Sequence, residues 1–528
     1  MSTSIAWPAG TAQHTGPSRS LSYRFGYFVL RHYLAGVALT LLLACVNCFW
    51  RLSTNVVSDL DEARYGVAAS EMLRSHSALV ATYAGRPEYW NLKPPLGYWM
   101  QELAFRLLGP TVFAMRVPSA LCALALISLT LAITRRWFGR REALLAGLIL
   151  TSCFGFMSYH GARSGDLDSA LSLLLLIATV QTPRLAASSS ARMLWAAMMS
   201  LGFLLKSFAI LPFVFTTGLY LLWSGDWRRM RVRDWIPGLV LFCAVVLGWI
   251  VARVSHDGSM YFVSRMFRED LLWRSTRVLD NETARPLGYL AVLLDRFAPW
   301  SLLLAAVPLY MRGGWQPRNP QTRLLLLWAL VPLLTFSLAR TQHHWYLDPT
   351  YPAWSMLTAI AALRLMGLSA QPVRLLVVGL VMIGLLLCEV RVLWRIGWTD
   401  RPPASQTFLM SLRSRLPADE LIYVCFPLAH SERFILEVVD GYRIREVTAP
   451  PEPQTDASAP QHVTLLVRWR NLHRRAGALI QWRPLVGNGD YVLLAPRVSS
   501  GRDLIGAKLP MTLGAIRVES LDHGLHMR

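Results

Sequence analysis

The chain has 528 residues, of which 54% are hydrophobic and only 16% are charged, and its mean hydropathy is +0.36. A water-soluble fold of this size needs more polar surface, so these values exclude an ordinary soluble protein and indicate a membrane protein. The formal net charge of +21 lies largely in short segments between apolar runs, such as Arg228 to Arg233. This distribution is typical of charge that fixes membrane topology and meets anionic lipid, and it argues against nucleic-acid binding.

The first residues predict a cytoplasmic N-terminus. Residues 1–22 are rich in Ser, Thr, Gly and Pro and have no apolar periodicity, so we expect a flexible tail. The first apolar run, Tyr33 to Trp50, follows several arginines and is too long for the core of an ordinary signal peptide. We therefore expect it to remain in the membrane.

Apolar runs of about the length that crosses a bilayer recur throughout residues 23–398. They lie at 33–50, 114–134, 142–160, 168–183, 193–224, 236–254, 288–311, 323–338, 350–366 and 373–390. The run 193–224 fits two spans joined near Lys206 and Ser207, which gives about eleven spans. The predicted fold class is thus an all-α polytopic membrane domain in the inner (plasma) membrane.

Arginine-rich loops alternate along the chain with loops that lack dense arginine clusters, as expected when successive loops lie on opposite sides of a membrane. Dense arginine clusters fall in the loops at 135–141, 184–192, 225–235, 312–323 and 364–374, which predicts that these loops face the cytoplasm. The loops at 51–113, 161–167, 255–287 and 339–349 should then face outward. We expect amphipathic helices in the first outward loop, because its apolar residues recur at helical spacing.

The pattern changes after Trp398. Short β-like runs begin at Leu421, His462 and Tyr491, separated by Pro-rich linkers. Residues 399–528 are therefore predicted to form a small outward-facing α/β domain.

Three carboxylates follow the first span, at Asp59, Asp61 and Glu62, with Arg64 one turn later. Acidic residues next to a membrane helix are costly unless they are paired, hydrated or bound to metal, so this group indicates a site. Such a carboxylate could act as a general base or hold a divalent cation. The competing interpretation is a solvated helix start, with an Asp as N-cap and Glu62 in the first turn.

A lysine in the same loop lies on a rigid turn. Lys93 precedes Pro94 and Pro95 and is surrounded by Tyr and Trp residues. A fixed lysine beside aromatic rings suits a phosphate with a sugar stacked next to it. An interfacial lysine that snorkels to the headgroups would show the same pattern.

Further charged and polar residues fall on the same predicted side. The turn from Arg163 to Asp168 adds Asp166 and Asp168, which could converge with Asp61. The candidates for binding an anionic headgroup are Lys93, Arg64, Arg268, Arg274, Lys206, Arg340 and Tyr346. A divalent metal is possible, with Asp61, His343 and His344 as candidate ligands, although adjacent histidines usually point apart.

These motifs together resemble the GT-C superfamily of multi-span glycosyltransferases, which includes the aminoarabinose transferases of lipid A and the protein O-mannosyltransferases. The resemblance rests on Asp61 to Tyr65, Lys93 to Trp99, Arg163 to Asp168, Lys206, Pro299 to Ser301, and Tyr346 to Pro352, in that order. It covers roughly the first 360 residues. The chain departs from the aminoarabinose transferases at Leu92, where those enzymes carry Glu, and around Asn281 and Glu282, where a His is expected.

The resemblance implies an inverting transfer of a monosaccharide from a polyprenyl-phosphate donor to an envelope lipid, glycan or protein, such as lipopolysaccharide. It also implies that Asp61 lies near the acceptor nucleophile, supported by Glu62, Asp166 and Asp168, and that Lys93 and nearby arginines hold the donor phosphate. No P-loop, Rossmann fingerprint or serine nucleophile elbow is visible in the sequence. Two alternatives remain open, a transporter of lipid-linked saccharide and a non-catalytic membrane scaffold.

Overall fold

Helices dominate the computed structural model, which describes residues 31–158, 160–279, 287–305, 319–451, 463–472, 479 and 481–496. The helices up to the middle of the chain are α1 (Tyr33–Phe49), α2 (Asp61–Ser75), α3 (Leu96–Leu108), α4 (Val112–Trp137), α5 (Arg140–Thr151), α6 (Phe154–Met157), α7 (Asp168–Thr179), α8 (Ser189–Lys206), α9 (Leu211–Ser224) and α10 (Ile236–Asp257). A short hairpin of β1 (Thr82–Tyr83) and β2 (Arg86–Pro87) separates α2 from α3.

The remaining helices are α11 (Tyr261–Met266), α12 (Arg274–Thr276), α13 (Gly288–Arg296), α14 (Trp300–Ala305), α15 (Pro320–Leu338), α16 (Tyr351–Leu368), α17 (Gln371–Trp394), α18 (Ala404–Ser411), α19 (His430–Arg433) and α20 (Trp469–Leu472). Three wider π-helical turns lie at Phe267–Trp273, Arg395–Thr399 and Phe434–Val439. Tight 3-10 turns include Ser207–Ile210 and His344–Thr350.

Helix boundaries follow local chemistry. The hydroxyls of Thr111 and Ser188 accept the backbone N–H groups of the first turns of α4 and α8, and the side chain of Asn319 caps α15 in the same way. Helices α9 and α10 end at Gly225 and Gly258, both in the left-handed conformation that glycine adopts without strain.

Five helices in the described ranges are long and apolar enough to cross a membrane: Val112–Trp137, Ser189–Ser224, Ile236–Asp257, Pro320–Leu338 and Gln371–Thr399. The count of eleven spans stays a prediction. The helix breaks at Lys206 and Ser207, where two spans were expected to join.

Two predicted runs are interrupted. The run 142–160 ends as a helix at Thr151 and resumes only as α6, and the run 288–311 breaks between Arg296 and Trp300. The hydrophobicity of the sequence did not indicate these two breaks in the helices. Each break places polar residues at the end of a short helix. Residues 306–311 lie outside the described part of the chain.

The first loop holds helices as predicted, and two later helices pack on it. Residues 399–420 and 427–444 belong to the same compact unit as the membrane helices, whereas a second unit is formed by residues 421–426 and the described residues from 445 onward. This differs from the boundary predicted at residue 399. Hydrogen bonds join these later residues to the first loop. The Gln406 side-chain amide accepts from the N–H of Val57 and donates to its carbonyl, and Asp59 accepts from the N–H and the hydroxyl of Ser431.

The second unit is built on a mixed sheet. Its strands β3 (Leu421–Val424), β4 (Arg443–Glu446), β5 (Val463–Arg468), β6 (Trp482–Gly487) and β7 (Tyr491–Pro496) are arranged in the order β4-β3-β5-β7-β6. Strands β3 and β5 run parallel, while β7 pairs antiparallel with β5 and β6. The β-like runs seen in the sequence therefore form strands.

Candidate active site

Three side chains from two distant parts of the chain meet at one point. Asp61 begins α2, and His160 and Asp166 lie in the turn before α7. One ligand-type atom from each residue lies within 4.8 Å of the other two. The acidic turn at Asp61 and the acidic turn at Asp166 therefore lie close together, as the sequence predicted.

The turn that carries His160 and Asp166 is fixed by close backbone packing. The N–H of Ala162 donates to the carbonyl of Phe156 at 2.9 Å, and Gly161 passes so near that carbonyl that a Cβ at this position would overlap it. His160 itself has a φ of 67°. On its other side, the turn is tied to α2 because Gly165 N–H donates to Glu62 at 2.8 Å.

His160 is a cationic neighbour for the carboxylates. Its Nδ1 lies 3.0 Å from Oδ2 of Asp166, and its ring stacks on Trp345 with centroids 3.8 Å apart. Burial opposes protonation of the imidazole, but the carboxylate of Asp166 outweighs it, so the pKa of His160 is raised. Burial, and then the charge of Asp166, raise the pKa of Asp61. Asp61 is thus a stronger base than an exposed aspartate.

Lys206 adds a second cation beside the acidic group. It ends α8, and its ammonium donates to Asp168 at 2.5 Å. Both side chains are largely buried. Because Asp168 is the first residue of α7, this ion pair ties the start of one helix to the end of the next.

A separate pair of cations forms around Asp270. Lys93 donates to its carboxylate at 2.5 Å and Arg274 at 3.3 Å, with the Ser207 hydroxyl at 3.2 Å. Arg274 also donates to the hydroxyl of Tyr346 at 3.2 Å. Burial would raise the pKa of Asp270, but Lys93 and then Arg274 hold it below its usual range. Two cations thus converge on one carboxylate with a phenol beside them, and groups of these types are the ones that bind phosphate in proteins.

Glu62 has a different role from the one predicted. It is buried beside Arg116, which donates to it at 2.6 and 2.9 Å, and it also accepts the N–H groups of Ser58 and Gly165. Its oxygens are occupied by these bonds, so it holds the loops in place and is not available to an acceptor or a cation.

Three of the arginines predicted to bind the donor phosphate lie outside the Lys93–Asp270–Arg274 group. Arg64 makes a two-pronged bond to Glu88 and lies over the rings of Tyr83 and Trp90. Arg268 is exposed and lies over Trp273, and Arg340 is exposed. Their charge therefore contributes to the surroundings of the site and not to the Lys93–Asp270–Arg274 group.

A metal site at Asp61 stays a prediction, and the structure groups Asp61 with other residues than the paired histidines. In the described ranges, the residues grouped as a metal site would be are Asp61, His160 and Asp166. One Asp166 oxygen, Oδ1, is buried without a hydrogen-bond partner, so a divalent cation fits the donor set. His343 lies 3.4 Å from the guanidinium of Arg274 and stacks on Trp345. Burial and then Arg296 lower the pKa of His344 to about 3.

Sequence reasoning missed His160, Trp345 and the central place of Asp270. His160 stands six residues before Asp166, as the last residue of the predicted span 142–160, and Trp345 lies between His344 and Tyr346. Arginines flank Asp270 in the sequence, and this pattern could have indicated that Asp270 is the carboxylate with which nearby cations pair. Lone His and Trp residues near an interface are common, so neither was singled out.

A family model supports the assignment made from these motifs. Residues 92–251 match the family described as dolichyl-phosphate-mannose-protein mannosyltransferase. An undecaprenyl phosphate-alpha-4-amino-4-deoxy-L-arabinose arabinosyl transferase of Pseudomonas fluorescens is 27% identical over 353 residues, which are 64% of this chain and 58% of that enzyme. Its namesake in Aeromonas salmonicida is 30% identical over 58% of this chain and 56% of its own length. The match thus spans little more than half of these relatives.

Solved structures share the fold. ArnT from Cupriavidus metallidurans, bound to undecaprenyl phosphate, superposes with a TM-score of 0.67 at 19% identity, covering 90% of this chain and 98% of that one. The oligosaccharyltransferase AglB from Archaeoglobus fulgidus, in complex with an inhibitory peptide and a dolichol-phosphate, has a TM-score of 0.53 at 11% identity, over 79% and 64% of the two chains.

Proposed function

Because the chain belongs to the GT-C superfamily of multi-span glycosyltransferases and is similar to the aminoarabinose transferases, we propose that it is an inverting glycosyltransferase. It moves a monosaccharide from a polyprenyl-phosphate donor to an acceptor of the cell envelope, on the non-cytoplasmic face of the inner membrane. The observation that carries this proposal is the meeting of Asp61, His160 and Asp166 beside two buried cation groups, one on Asp168 and one on Asp270.

The chemistry follows from the charges. Asp61 takes the proton of the acceptor hydroxyl as its oxygen bonds to the anomeric carbon of the sugar. The bond between that carbon and the phosphate oxygen breaks, and the electron pair leaves with the polyprenyl phosphate. Negative charge thus develops on the phosphate, where Lys93, Arg274 and Tyr346 stabilise it. A single displacement of this kind inverts the anomeric configuration.

His160 and Lys206 hold the carboxylates at close range. Two aspartates this near would repel each other, and the imidazolium and the ammonium offset that repulsion. In place of the imidazolium, a divalent cation held by Asp61, Asp166 and the neutral imidazole of His160 would offset the repulsion and supply Lewis-acid polarisation of the acceptor hydroxyl. If activity survives chelation by EDTA, then His160 and Lys206, and not a metal ion, offset the repulsion between the aspartates.

The donor class rests on the relatives. Their names specify undecaprenyl phosphate and an amino-arabinose, and two structural neighbours were solved with a polyprenyl-type phosphate. Leu92 stands where the aminoarabinose transferases carry Glu, so the sugar is a separate question. A donor panel must include neutral hexoses and pentoses as well as the amino sugar.

A transporter of lipid-linked saccharide is the second candidate. A transporter places its ions near the middle of broken membrane helices. Here Asp61 and Asp168 begin helices and Lys206 ends one, which suits a site at a membrane face. Turnover separates the two candidates, since a transporter releases no free polyprenyl phosphate.

The test uses purified protein in nanodiscs. We expect wild type to release polyprenyl phosphate from one member of the donor panel when a bacterial envelope-lipid extract is the acceptor. Asp61→Asn should lose at least about a hundredfold in rate, because the general base is removed. Asp226→Asn, in the arginine-rich loop after α9, serves as the matched control and should retain activity. Absence of turnover with every donor, or full activity of Asp61→Asn, would refute the proposal.

A further inference from the structure

Two membrane helices form a groove outside the groups described above. Its volume is about 390 Å³, which lies in the range of pockets that hold small-molecule ligands, roughly 300 to 1,000 Å³. We call it the basic groove. Its lining residues are Leu129, Ile133, Arg136, Trp137, Ile177, Val180, Gln181 and Arg184. The first four belong to α4, and the other four to the end of α7 and the turn that follows it.

The lining residues form one face of each helix. Positions 129, 133, 136 and 137 recur at helical spacing, and so do 177, 180, 181 and 184. Nearer the start of both helices, the Ser119 hydroxyl of α4 donates to the carbonyl of Asp166, just before α7. The two helices therefore run in the same direction. As a result, the apolar residues of the basic groove lie nearer Asp166, and the arginines lie at its far end.

The arginine end of the basic groove lies at the level of lipid headgroups. Helix α4 has 26 residues, which is about 39 Å at 1.5 Å per residue and enough to cross a bilayer. Its last residue is Trp137, and tryptophan at the end of a span is typical of the membrane interface. The loops that follow the two helices, at 135–141 and 184–192, are arginine-rich loops predicted to face the cytoplasm. On this topology, the arginines lie on the face opposite to the one proposed for sugar transfer.

Arg136 and Arg184 have no counter-charge among the described residues. Both residues are exposed, and neither guanidinium forms an ion pair within the part of the chain that the structure describes. The sequence has no acidic residue at 103–141 or at 169–225, so none is near either arginine along the chain. Two guanidinium groups without a carboxylate attract an anion, and guanidinium groups match phosphate oxygens in pairs.

Gln181 adds an acceptor beside the arginines. Its side-chain N–H donates to the carbonyl of Ile177 at 3.3 Å, which leaves the side-chain oxygen for an O–H donor. A phospholipid headgroup that carries hydroxyl groups can supply that donor. A headgroup that carries an ammonium would bring a third cation to a wall that has no carboxylate. The basic groove therefore favours an anionic headgroup with hydroxyls over a zwitterionic headgroup with an amine.

We propose that the basic groove holds one anionic diacyl phospholipid of the cytoplasmic leaflet, of the phosphatidylglycerol type. The phosphate pairs with Arg136 and Arg184, and an acyl chain lies along Leu129, Ile133 and Ile177. The polarity of the basic groove, apolar along its length and cationic at one end, matches that of a lipid. This lipid is a resident ligand and is neither the donor nor the acceptor of the sugar. Because it touches both α4 and α7, its binding to the folded state stabilises their packing.

The binding test compares lipids and variants. Native mass spectrometry of the full chain, released from nanodiscs with equal amounts of phosphatidylglycerol and phosphatidylethanolamine, should show one retained phosphatidylglycerol. The double variant Arg136→Gln/Arg184→Gln should retain at least about tenfold less, because two charge-assisted contacts are lost. The matched control is Arg228→Gln/Arg229→Gln, which removes the same charge from another arginine-rich loop, where the Arg229 side chain is 80% exposed. It should retain the lipid as wild type does.

A second pair of variants tests the apolar wall. Ile133→Trp fills the basic groove and keeps both arginines, so it should also lose phosphatidylglycerol. Leu121→Trp places the same side chain elsewhere on α4, at a residue that is 53% exposed, and should retain the lipid. Added phosphatidylglycerol should raise the thermal unfolding midpoint of wild type and of Leu121→Trp, but not that of Ile133→Trp or of the double arginine variant. A cooperative transition without the lipid shows that each variant is folded.

Three results would overturn the proposal. Equal retention of phosphatidylethanolamine would remove the charge selectivity, and equal loss in the Arg228→Gln/Arg229→Gln control would show a general effect of net charge. Displacement of phosphatidylglycerol by inorganic phosphate or by undecaprenyl phosphate would assign the basic groove to a free anion or to the donor. None of these measurements involves turnover, so the basic groove is tested separately from the proposed transfer.

Discussion

The Nδ1 atom of His160 lies 3.0 Å from Oδ2 of Asp166, within the group that also contains Asp61. The imidazolium stabilises the ionised form of Asp61 and thereby limits the rise in its pKa that burial and Asp166 produce. A raised pKa in the group that must be ionised moves the acidic limb of the pH–rate profile upward from about pH 4, the ordinary range of an aspartate.

Replacing His160 should move that limb further. In His160→Gln the positive charge is lost, the pKa of Asp61 rises, and activity should be lost at a higher pH than in wild type. The measurement is the rate of polyprenyl phosphate release against pH. His256→Gln, on an exposed histidine at the end of α10, should leave the profile unchanged. A limb that stays in place in His160→Gln would show that the imidazole is not charged there.

Arg274 should act on donor binding and Arg268 should not. Arg274→Gln removes a cation that contacts both Asp270 and Tyr346, so the donor KM should rise about tenfold. Arg268→Gln, six residues earlier, removes an exposed arginine and should change the donor KM by less than about twofold. Equal effects of the two substitutions would mean that long-range charge, and not contact, holds the phosphate.

Glu62 should matter for stability. In Glu62→Gln, Arg116 stays buried without its counter-charge, which should cost about 3 kcal/mol of unfolding free energy. The midpoint of thermal unfolding in detergent measures the loss. Glu102→Gln breaks the pair with Arg106, whose side chain is 55% exposed, and should cost less than about 1 kcal/mol. A stable Glu62→Gln protein without activity would restore Glu62 to the chemistry.

Gly161 should be intolerant of a side chain. A Cβ at this position would overlap the backbone carbonyl of Phe156, which cannot turn away. Gly161→Ala should therefore shift the turn that carries His160 and lower both activity and the unfolding midpoint. Gly218→Ala, where nothing lies within 4 Å of the added atom, should be neutral or stabilising by up to about 1 kcal/mol. Wild-type activity in Gly161→Ala would show that the turn can adjust.

Much of this protein follows from its sequence, because hydrophobic run length, charge asymmetry and motif order are local properties. They predicted a mostly helical membrane protein, the helices of the first loop, and the strands that begin near Leu421, His462 and Tyr491. They also predicted that the acidic turns at Asp61 and at Asp166 converge. The roles given to the site residues stay predictions. Burial in a membrane makes such charged residues costly, so their presence in an apolar chain was informative by itself.

Only the tertiary structure decided which charge meets which. Glu62 and Arg64 are two residues apart, yet one bonds Arg116 and the other Glu88. Lys93 and Asp270 are separated by 177 positions and form one ion pair. Phe154 gathers arginines from two later helices. Sequence spacing cannot predict such contacts, because they depend on how the helices pack and on where short breaks such as Ser152 and Phe297 turn the backbone.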